Sequence, residues 1–203
     1  GLGKPTLLPA WSARVRAAAA AACIWLDPSD IVPDHFTRYL AEAARRAWAM
    51  TAAPELGLEA LVVEIANHVS ALDGPVVLVL DDYHFVESER VHAAMTSLLE
   101  HMPANMHLVI GSRRDPPFPL ARLRARGRLL EVRADDLRFT VNEADQLLNG
   151  VERLGLDAEQ VETLEARTEG WGAALQLAAL AARGAFEPHR FVRTFGGSHR
   201  FVF

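Results

Sequence analysis

The sequence has almost no cysteine and almost no lysine. Cys23 stands alone among 203 residues, so no internal disulfide can form and a zinc site built from thiolates is excluded. A reducing cytosol is the simplest setting for such a chain, which is expected to be cytoplasmic. Long apolar runs are missing: the longest, Ala17 to Leu26, is about half of the roughly 20 residues that a membrane-crossing helix needs. The N-terminus also lacks the succession of basic, apolar and small-residue segments that marks a signal peptide. No surplus of positive charge is found, since 21 Lys+Arg stand against 26 Asp+Glu, a net −5. That speaks against a polybasic nucleic-acid binder, which needs excess cations to displace the counterions on phosphate. What remains is an ordinary globular composition, 50% apolar and 23% charged, with enough apolar residues for a core. Its length suits one large domain, or one domain with a small partner. Of the 21 basic residues only Lys4 is a lysine, and a position that breaks so uniform a preference for arginine invites a specific role.

Short apolar runs alternate with segments of helical period, which predicts an α/β fold with a parallel sheet and crossover helices. The runs are Cys23 to Leu26, Val76 to Leu80, His107 to Ile110 and Leu129 to Val132. Between them Leu58, Leu61, Val62, Ile65, Val69 and Leu72 recur at helical spacing, as do Val91, Met95, Leu98 and Leu99. The alanines from Ala17 to Ala22 favour a helix end. After Thr140 only helices are expected: Val141 to Leu148, Ala158 to Arg167 and Trp171 to Arg183. The layout is therefore residues 1–139 as an α/β domain, 140–184 as a helical subdomain and 185–203 as the start of another module. Seven arginines against Asp115 and Glu131 between Arg113 and Arg133 make a local +5, read as a solvated loop and helix face rather than a contact patch. Trp11, Trp25 and Trp48 sit in apolar surroundings and read as core. The eight histidines form no dense ligand cluster.

Two segments carry chemistry. The opening residues Gly1, Leu2, Gly3, Lys4, Pro5, Thr6 resemble the end of a phosphate cradle. Glycines let backbone amides approach the oxygens, a helix start adds partial positive charge, and an ammonium reaches the terminal phosphates. Taken alone, this is also how an ordinary glycine turn reads. The second segment is the strand Val76 to Leu80 ending in Asp81 and Asp82, which sets two carboxylates at the C-terminal edge of a sheet, where open α/β folds bind ligands. Asp81 is the candidate ligand of Mg²⁺ and Asp82 the acid that polarises an attacking water. The strand from His107 ends in Gly111, Ser112 and Arg113, so that Ser112 and Arg113 face the terminal phosphate from the other side and Arg113 reports its presence. Arg114 reads as plain surface charge.

These segments resemble the STAND-class P-loop ATPase domain of the MalT-like large LuxR-family transcription activators. The likeness rests on Gly1 to Leu8, VVLVLDDYH at 76–84 and HLVIGSRRDPP at 107–117. It continues through 120–140, LEARTEGWGAALQLAAL at 164–180 and GSHRFV at 197–202. It implies a P-loop NTPase with a helical lid, ATP/ADP and Mg²⁺ as cofactors, and Lys4 as the lysine of the phosphate loop. Asp81 and Asp82 match the acids after the apolar strand, Arg113 the first sensor, and Gly170 and Trp171 the lid contact with nucleotide. It further implies that the strand entering the phosphate loop lies before Gly1, in the centre of the sheet between the Asp81 and His107 strands. Without that strand the chain alone is expected to be aggregated or molten.

Two departures stand out. Pro5 occupies the place of the hydroxyl that ligates Mg²⁺ and removes an amide as well, although proline suits the first turn of a helix. Thr6 is the next hydroxyl, kept among the nucleotide contacts, yet it lies about 100° further round a helix and is not assumed to substitute. Gly172 stands where related plant-type domains carry proline. The resulting expectation is a switch in which ADP holds a closed state, ATP with an unidentified inducer gives a self-associating one, and slow hydrolysis resets it. DNA would be reached only through a domain outside this chain. Two other readings stay open: a regulatory ATPase module attached to a protein kinase, and a scaffold with a degenerate, nucleotide-poor site.

Overall fold

The computed structural model describes residues 19–27, 32–51 and 56–184, together with Val192 and Phe195. Two compact units meet in sequence between Leu130 and Glu131.

The first unit is an α/β layer around a three-stranded parallel sheet, β1 (Ala20–Trp25), β2 (Val76–Asp81) and β3 (Met106–Ile110), in the order β1-β2-β3. The crossovers are helical: α1 (Pro33–Trp48) and α2 (Leu58–Ser70) join β1 to β2, and α3 (Glu89–Glu100) joins β2 to β3. Strand alternation explains the core. Ala22, Leu78 and Leu108 share one row across the sheet, and Ile24, Leu80 and Ile110 the next, all on one face. This face packs with Phe36, Leu40, Ala44 and Trp48 of α1, with Leu58, Leu61, Val62, Ile65 and Val69 of α2, and with Val91, Met95 and Leu98 of α3. Val77 and Val79 point to the other face and are buried too, so β2 reads as an unbroken apolar run, the signature of a central parallel strand. α1 starts with Pro33 in its first turn, and Ser88 caps α3 by accepting from the Val91 amide at 3.4 Å. Asn105 closes the other end of α2, its Nδ2 donating to the carbonyls of Val69 at 2.8 Å and Leu72 at 3.1 Å.

Four expectations fail here. β2 pairs directly with β3, Leu80 opposite Ile110, and the Gly111 amide donates to the Leu80 carbonyl at 2.9 Å. No strand separates the Asp81 and His107 strands, because their backbone groups already satisfy each other. The segment Leu129 to Val132 forms no strand, and Leu130 is 89% and Val132 57% exposed. It follows a left-handed Gly127 and a run of arginines at alternate positions, and β-propensity without a pairing partner is too weak to order a strand. Ala20 to Ala22 belong to β1 rather than to a helix end. The small side chains admit α1 closely enough for Trp48 Nε1 to donate to the Ala20 carbonyl at 3.0 Å, a tertiary override of propensity. Trp25 is 56% exposed, so of the tryptophans read as core Trp48 is buried, Trp25 is not, and Trp11 lies outside the described residues.

One polar pair is sunk in this core. Tyr83, 1% exposed, meets buried His92 of α3 with Oη 3.0 Å from Nδ1, and burial raises the phenol's pKa well above its ordinary value. Burial likewise holds the His92 imidazole below its usual pKa, with Glu89 pulling it upward and Arg114 downward.

The second unit is helical: α5 (Val141–Asp145) running into a π-turn (Gln146–Val151), α6 (Ala158–Thr168) and α7 (Gly172–Gly184). A short α4 (Leu120–Ala125) precedes it in the first unit. Thr140 with Glu143, and Asp157 with Gln160, form capping boxes at the starts of α5 and α6. The buried Glu152 carboxylate accepts from Gln176 at 2.9 Å and pairs with Arg183 at 2.6 Å, tying the π-turn to α7. Leu148, Val161, Leu164, Leu175 and Ala178 make the core. Among the described residues no helix is long and apolar enough to cross a membrane.

Two glycines of this unit, both left-handed at φ +66°, separate backbone strain from crowding. A Cβ on Gly155 would meet nothing within 4 Å, whereas one on Gly170 would lie 2.5 Å from the Phe139 carbonyl oxygen. Gly155→Ala is expected to cost about 1–2 kcal/mol, the left-handed penalty alone. Gly170→Ala should cost roughly 1–3 kcal/mol more from overpacking, read as the difference in urea midpoint between the two variants. A second expectation concerns pH. Because the folded pKa of His92 is depressed, the unfolded chain takes up a proton first as pH falls below about 6.5, and stability drops with it. Above that pH this residue contributes no slope. Replacing His92 by Asn should remove its share of the loss between about pH 7.5 and about pH 5.5, measured as unfolding midpoints of both proteins.

Candidate functional site

The C-terminal ends of β2 and β3 bring four of the sequence-chosen residues to one edge: Asp81, Asp82, Ser112 and Arg113. Asp81 is the last residue of β2, opposite Trp25 of β1, and its side chain lies on the sheet face away from the α1–α3 core. It is 8% exposed, and its Oδ1 accepts from the Asp82 amide at 2.8 Å. Asp82 is left-handed, φ 54° and ψ 34°, a region in which aspartate is enriched among non-glycine residues because its short polar side chain can bond locally. Its carboxylate is half-exposed, and Oδ1 lies 3.6 Å from His84 Nδ1.

Tyr83 to Phe85 then form one 3₁₀ turn, closed by the Phe85 amide on the Asp82 carbonyl at 3.0 Å and the Val86 amide on that of Tyr83 at 3.0 Å. The Tyr83 amide donates to the Gly111 carbonyl at 2.9 Å, so the acid loop is stitched to the residue that leads into Ser112. Ser112 Oγ donates to the Arg114 carbonyl at 2.6 Å. Arg114 is not plain surface charge: its Nη2 donates to the His84 carbonyl at 2.8 Å, a second stitch between the two loops. Arg113 is exposed and makes no ion pair with another described residue. Beside this edge lies a cleft of about 330 Å³, bounded by Tyr83, His92, Ser112, Arg114, Asp115 and Pro116 among others.

Among the described residues no group of three or more His, Cys, Asp or Glu side chains is placed to hold a metal ion. One nearly buried carboxylate at a strand end nevertheless fits Mg²⁺, which keeps most of its waters and takes one or two carboxylates together with phosphate oxygens. Asp81 would be the protein ligand, with Asp82 beside it for water. Gly1, Gly3, Lys4, Pro5 and Thr6, the cation half of the predicted site, lie outside the described residues.

Gly170 and Trp171 belong to the helical unit, and the fold alone accounts for the glycine. The Phe139 amide donates to the Gly170 carbonyl at 2.7 Å, and Arg138 and Trp171 form an antiparallel bridge. A Cβ on Gly172 would lie 3.0 Å from the Phe139 ring. The indole Nε1 of Trp171 is buried and has no hydrogen-bond partner among the described residues.

Sequence reasoning missed Trp25, whose pairing with Asp81 follows from strand register, and three side chains bonded in or to the acid loop: Tyr83, His92 and Arg114. The order in which strands pair would have placed the first. For the others the only signal was a tyrosine directly after two acids, one of two in the chain.

No protein-family model matches the chain. Among curated proteins it is similar to the HTH-type transcriptional regulator MalT of Yersinia enterocolitica, with 36% identity over 196 residues, 90% of this chain and 21% of that protein. Proteins of the same description from Serratia proteamaculans and Vibrio cholerae are each 34% identical over 194 residues, again 90% of this chain and 21% of theirs. The chain thus spans about a fifth of the length of the curated relatives it matches. Identity of about a third, sustained across nine-tenths of the sequence in three such proteins, makes the chain similar to one region of MalT-type LuxR-family regulators.

Proposed function

We propose that the chain is the ATP-binding switch module of a cytoplasmic transcriptional regulator, a STAND-class P-loop ATPase with slow hydrolysis. The observation that carries this reading is the strand-edge constellation. Asp81 ends a fully buried strand and Asp82 follows it, while Ser112 and Arg113 lie just past the end of the strand hydrogen-bonded to it, in a chain related to MalT. Lys4 with Gly1 and Gly3 binds the phosphates, Asp81 holds Mg²⁺, and Asp82 orients water. Ser112 and Arg113 sense the terminal phosphate, and Gly170 and Trp171 contribute from the lid. Thr6 adds a hydroxyl near the phosphates. ATP favours self-association, an inducer is required, and DNA is contacted by a further domain of the whole protein.

The half-exposed carboxylate of Asp82 beside the nearly buried Asp81 supports different roles for the two acids. A metal ligand benefits from being fixed and dry, and a water-orienting group has to face its water. Pro5 supports a second reading, a scaffold that binds nucleotide weakly, because it deletes a metal-ligating hydroxyl.

Calorimetric titration of the whole protein with ATP and ADP separates the two. Under the switch reading both bind, and Lys4→Ala weakens them by more than about tenfold, the scale of a lost charge-assisted hydrogen bond of roughly 1.5–3 kcal/mol. An unchanged dissociation constant in that variant overturns the assignment of Lys4, and absence of binding in the unaltered protein favours the scaffold. Asp82→Asn should abolish turnover while affinity stays within about threefold. Pro5→Thr should raise turnover by restoring the Mg²⁺ ligand, and a flat steady-state rate at saturating ATP would refute that account of the proline.

A further inference from the structure

The left-handed backbone of Asp82 is one that aspartate adopts more readily than most residues, and the hydrogen bonds of the acid loop show what holds it in place. The bond from the Asp82 amide to Asp81 Oδ1 and the two bonds of the 3₁₀ turn are local; they turn the chain but do not anchor it. Anchoring comes from the next residue. The amide of Tyr83 is held by the Gly111 carbonyl, its ring packs against Phe118 at 5.4 Å and His92 at 5.7 Å, and its hydroxyl ends on His92 Nδ1 at 3.0 Å.

A phenylalanine would fill the same space. A buried hydroxyl is tolerated only when it is bonded, so the oxygen has a purpose beyond packing or a cost without return. Its direction follows from chemistry. His92 is the only described residue with a hydrogen bond to the hydroxyl, which therefore donates its proton to Nδ1 as acceptor. The proton of the ring then sits on Nε2.

We propose that Tyr83 and His92 are positioning residues: their hydrogen bond pins the acid loop from α3, and so sets where the Asp82 carboxylate stands relative to Ser112 and Arg113. Neither touches nucleotide in the function proposed above. The catalytic consequence rests on that function, whereas the structural consequence does not. Tyr83 is thus held at three points, by β3 through its backbone, by α3 through its hydroxyl and by Phe118 through its ring. Of these, the hydroxyl bond is the one that a single-atom change removes without touching the others. Arg114, donating to the His84 carbonyl, steadies the far end of the same loop and leaves the Asp82 end to Tyr83.

The test compares Tyr83→Phe, His92→Leu and His92→Asn in the intact protein. Asn is the rescue variant, because its carbonyl oxygen stands near the place of Nδ1 and accepts from the phenol. Amide hydrogen exchange is read at residue 83, whose N–H bonds Gly111, and at Leu80 inside β2. Tyr83→Phe and His92→Leu should exchange at least tenfold faster at residue 83 and within twofold of the parent at Leu80, and His92→Asn should stay near the parent at both. With ATP, the two disabling variants should lose at least tenfold in kcat with KM within threefold, again rescued by Asn.

Unchanged exchange at residue 83 overturns the proposal. Equal acceleration at Leu80 also overturns it, since that is the mark of simple core damage. Normal kcat in a variant whose loop has loosened removes the positioning role. Should the unaltered protein neither bind nor hydrolyse ATP, the nucleotide reading falls, and the exchange measurements still decide whether the clamp exists.

Discussion

The direct parallel pairing of β2 with β3 is the constraint on which the rest of the first unit depends. In register from Val76 opposite Met106 to Leu80 opposite Ile110, it aligns the ends of the two strands and sets the acid loop beside the loop that carries Ser112 and Arg113. The pairing continues past the strands, through the Gly111 amide on Leu80 and the Tyr83 amide on Gly111, so the sheet's hydrogen bonding extends into the functional loops. Loops that leave a sheet usually lose its rigidity within a residue or two. Here one further ladder step and the Arg114 bond to His84 keep them in register.

How much of this could be read beforehand depended on whether a residue's environment was set by its own segment or by another one. β2 was legible because all six residues are buried, which leaves an uninterrupted apolar run, and α2 because its five buried positions keep helical spacing. β1 was blurred at its start. Its alanines carry a helical propensity that counts for little once Trp48 and Phe36 supply a surface to pack against. Leu129 to Val132 shows the reverse error. An apolar β-prone run has no structure of its own, and what makes a strand is a neighbour's free backbone edge. The order of the strands was likewise beyond the reach of composition or period, because pairing is a property of two segments and only its consequences appear in either one.

The same division runs through the candidate site. Asp81, Asp82, Ser112 and Arg113 were legible because strand ends carry them to one edge whatever the strand order. Arg114 was misjudged because, among six arginines in sixteen residues, from Arg113 to Arg128, nothing local shows that it bonds the His84 carbonyl thirty residues away. Gly170 shows that a motif can be required for two reasons at once. Its Cβ would strike the Phe139 oxygen, so the helical unit needs a glycine there with or without a ligand. A glycine of that kind speaks first about the fold, and it says correspondingly less about a ligand than the two acids at the strand end do.

That contrast bears on how the site is held together. Asp82 sits in a left-handed conformation that aspartate accepts more readily than most side chains, and the contacts around it hold it there. Placing a carboxylate at a left-handed position turns it away from the strand direction that Asp81 follows. Two adjacent acids on a plain extended strand would point to opposite faces of the sheet. The turn at Asp82 is what frees the second acid from that alternation, and the buried tyrosine that follows it is what makes the turn permanent. A fully relaxed loop would lack this property, because thermal sampling of other backbone wells would carry the carboxylate away from the strand end that Ser112 and Arg113 share.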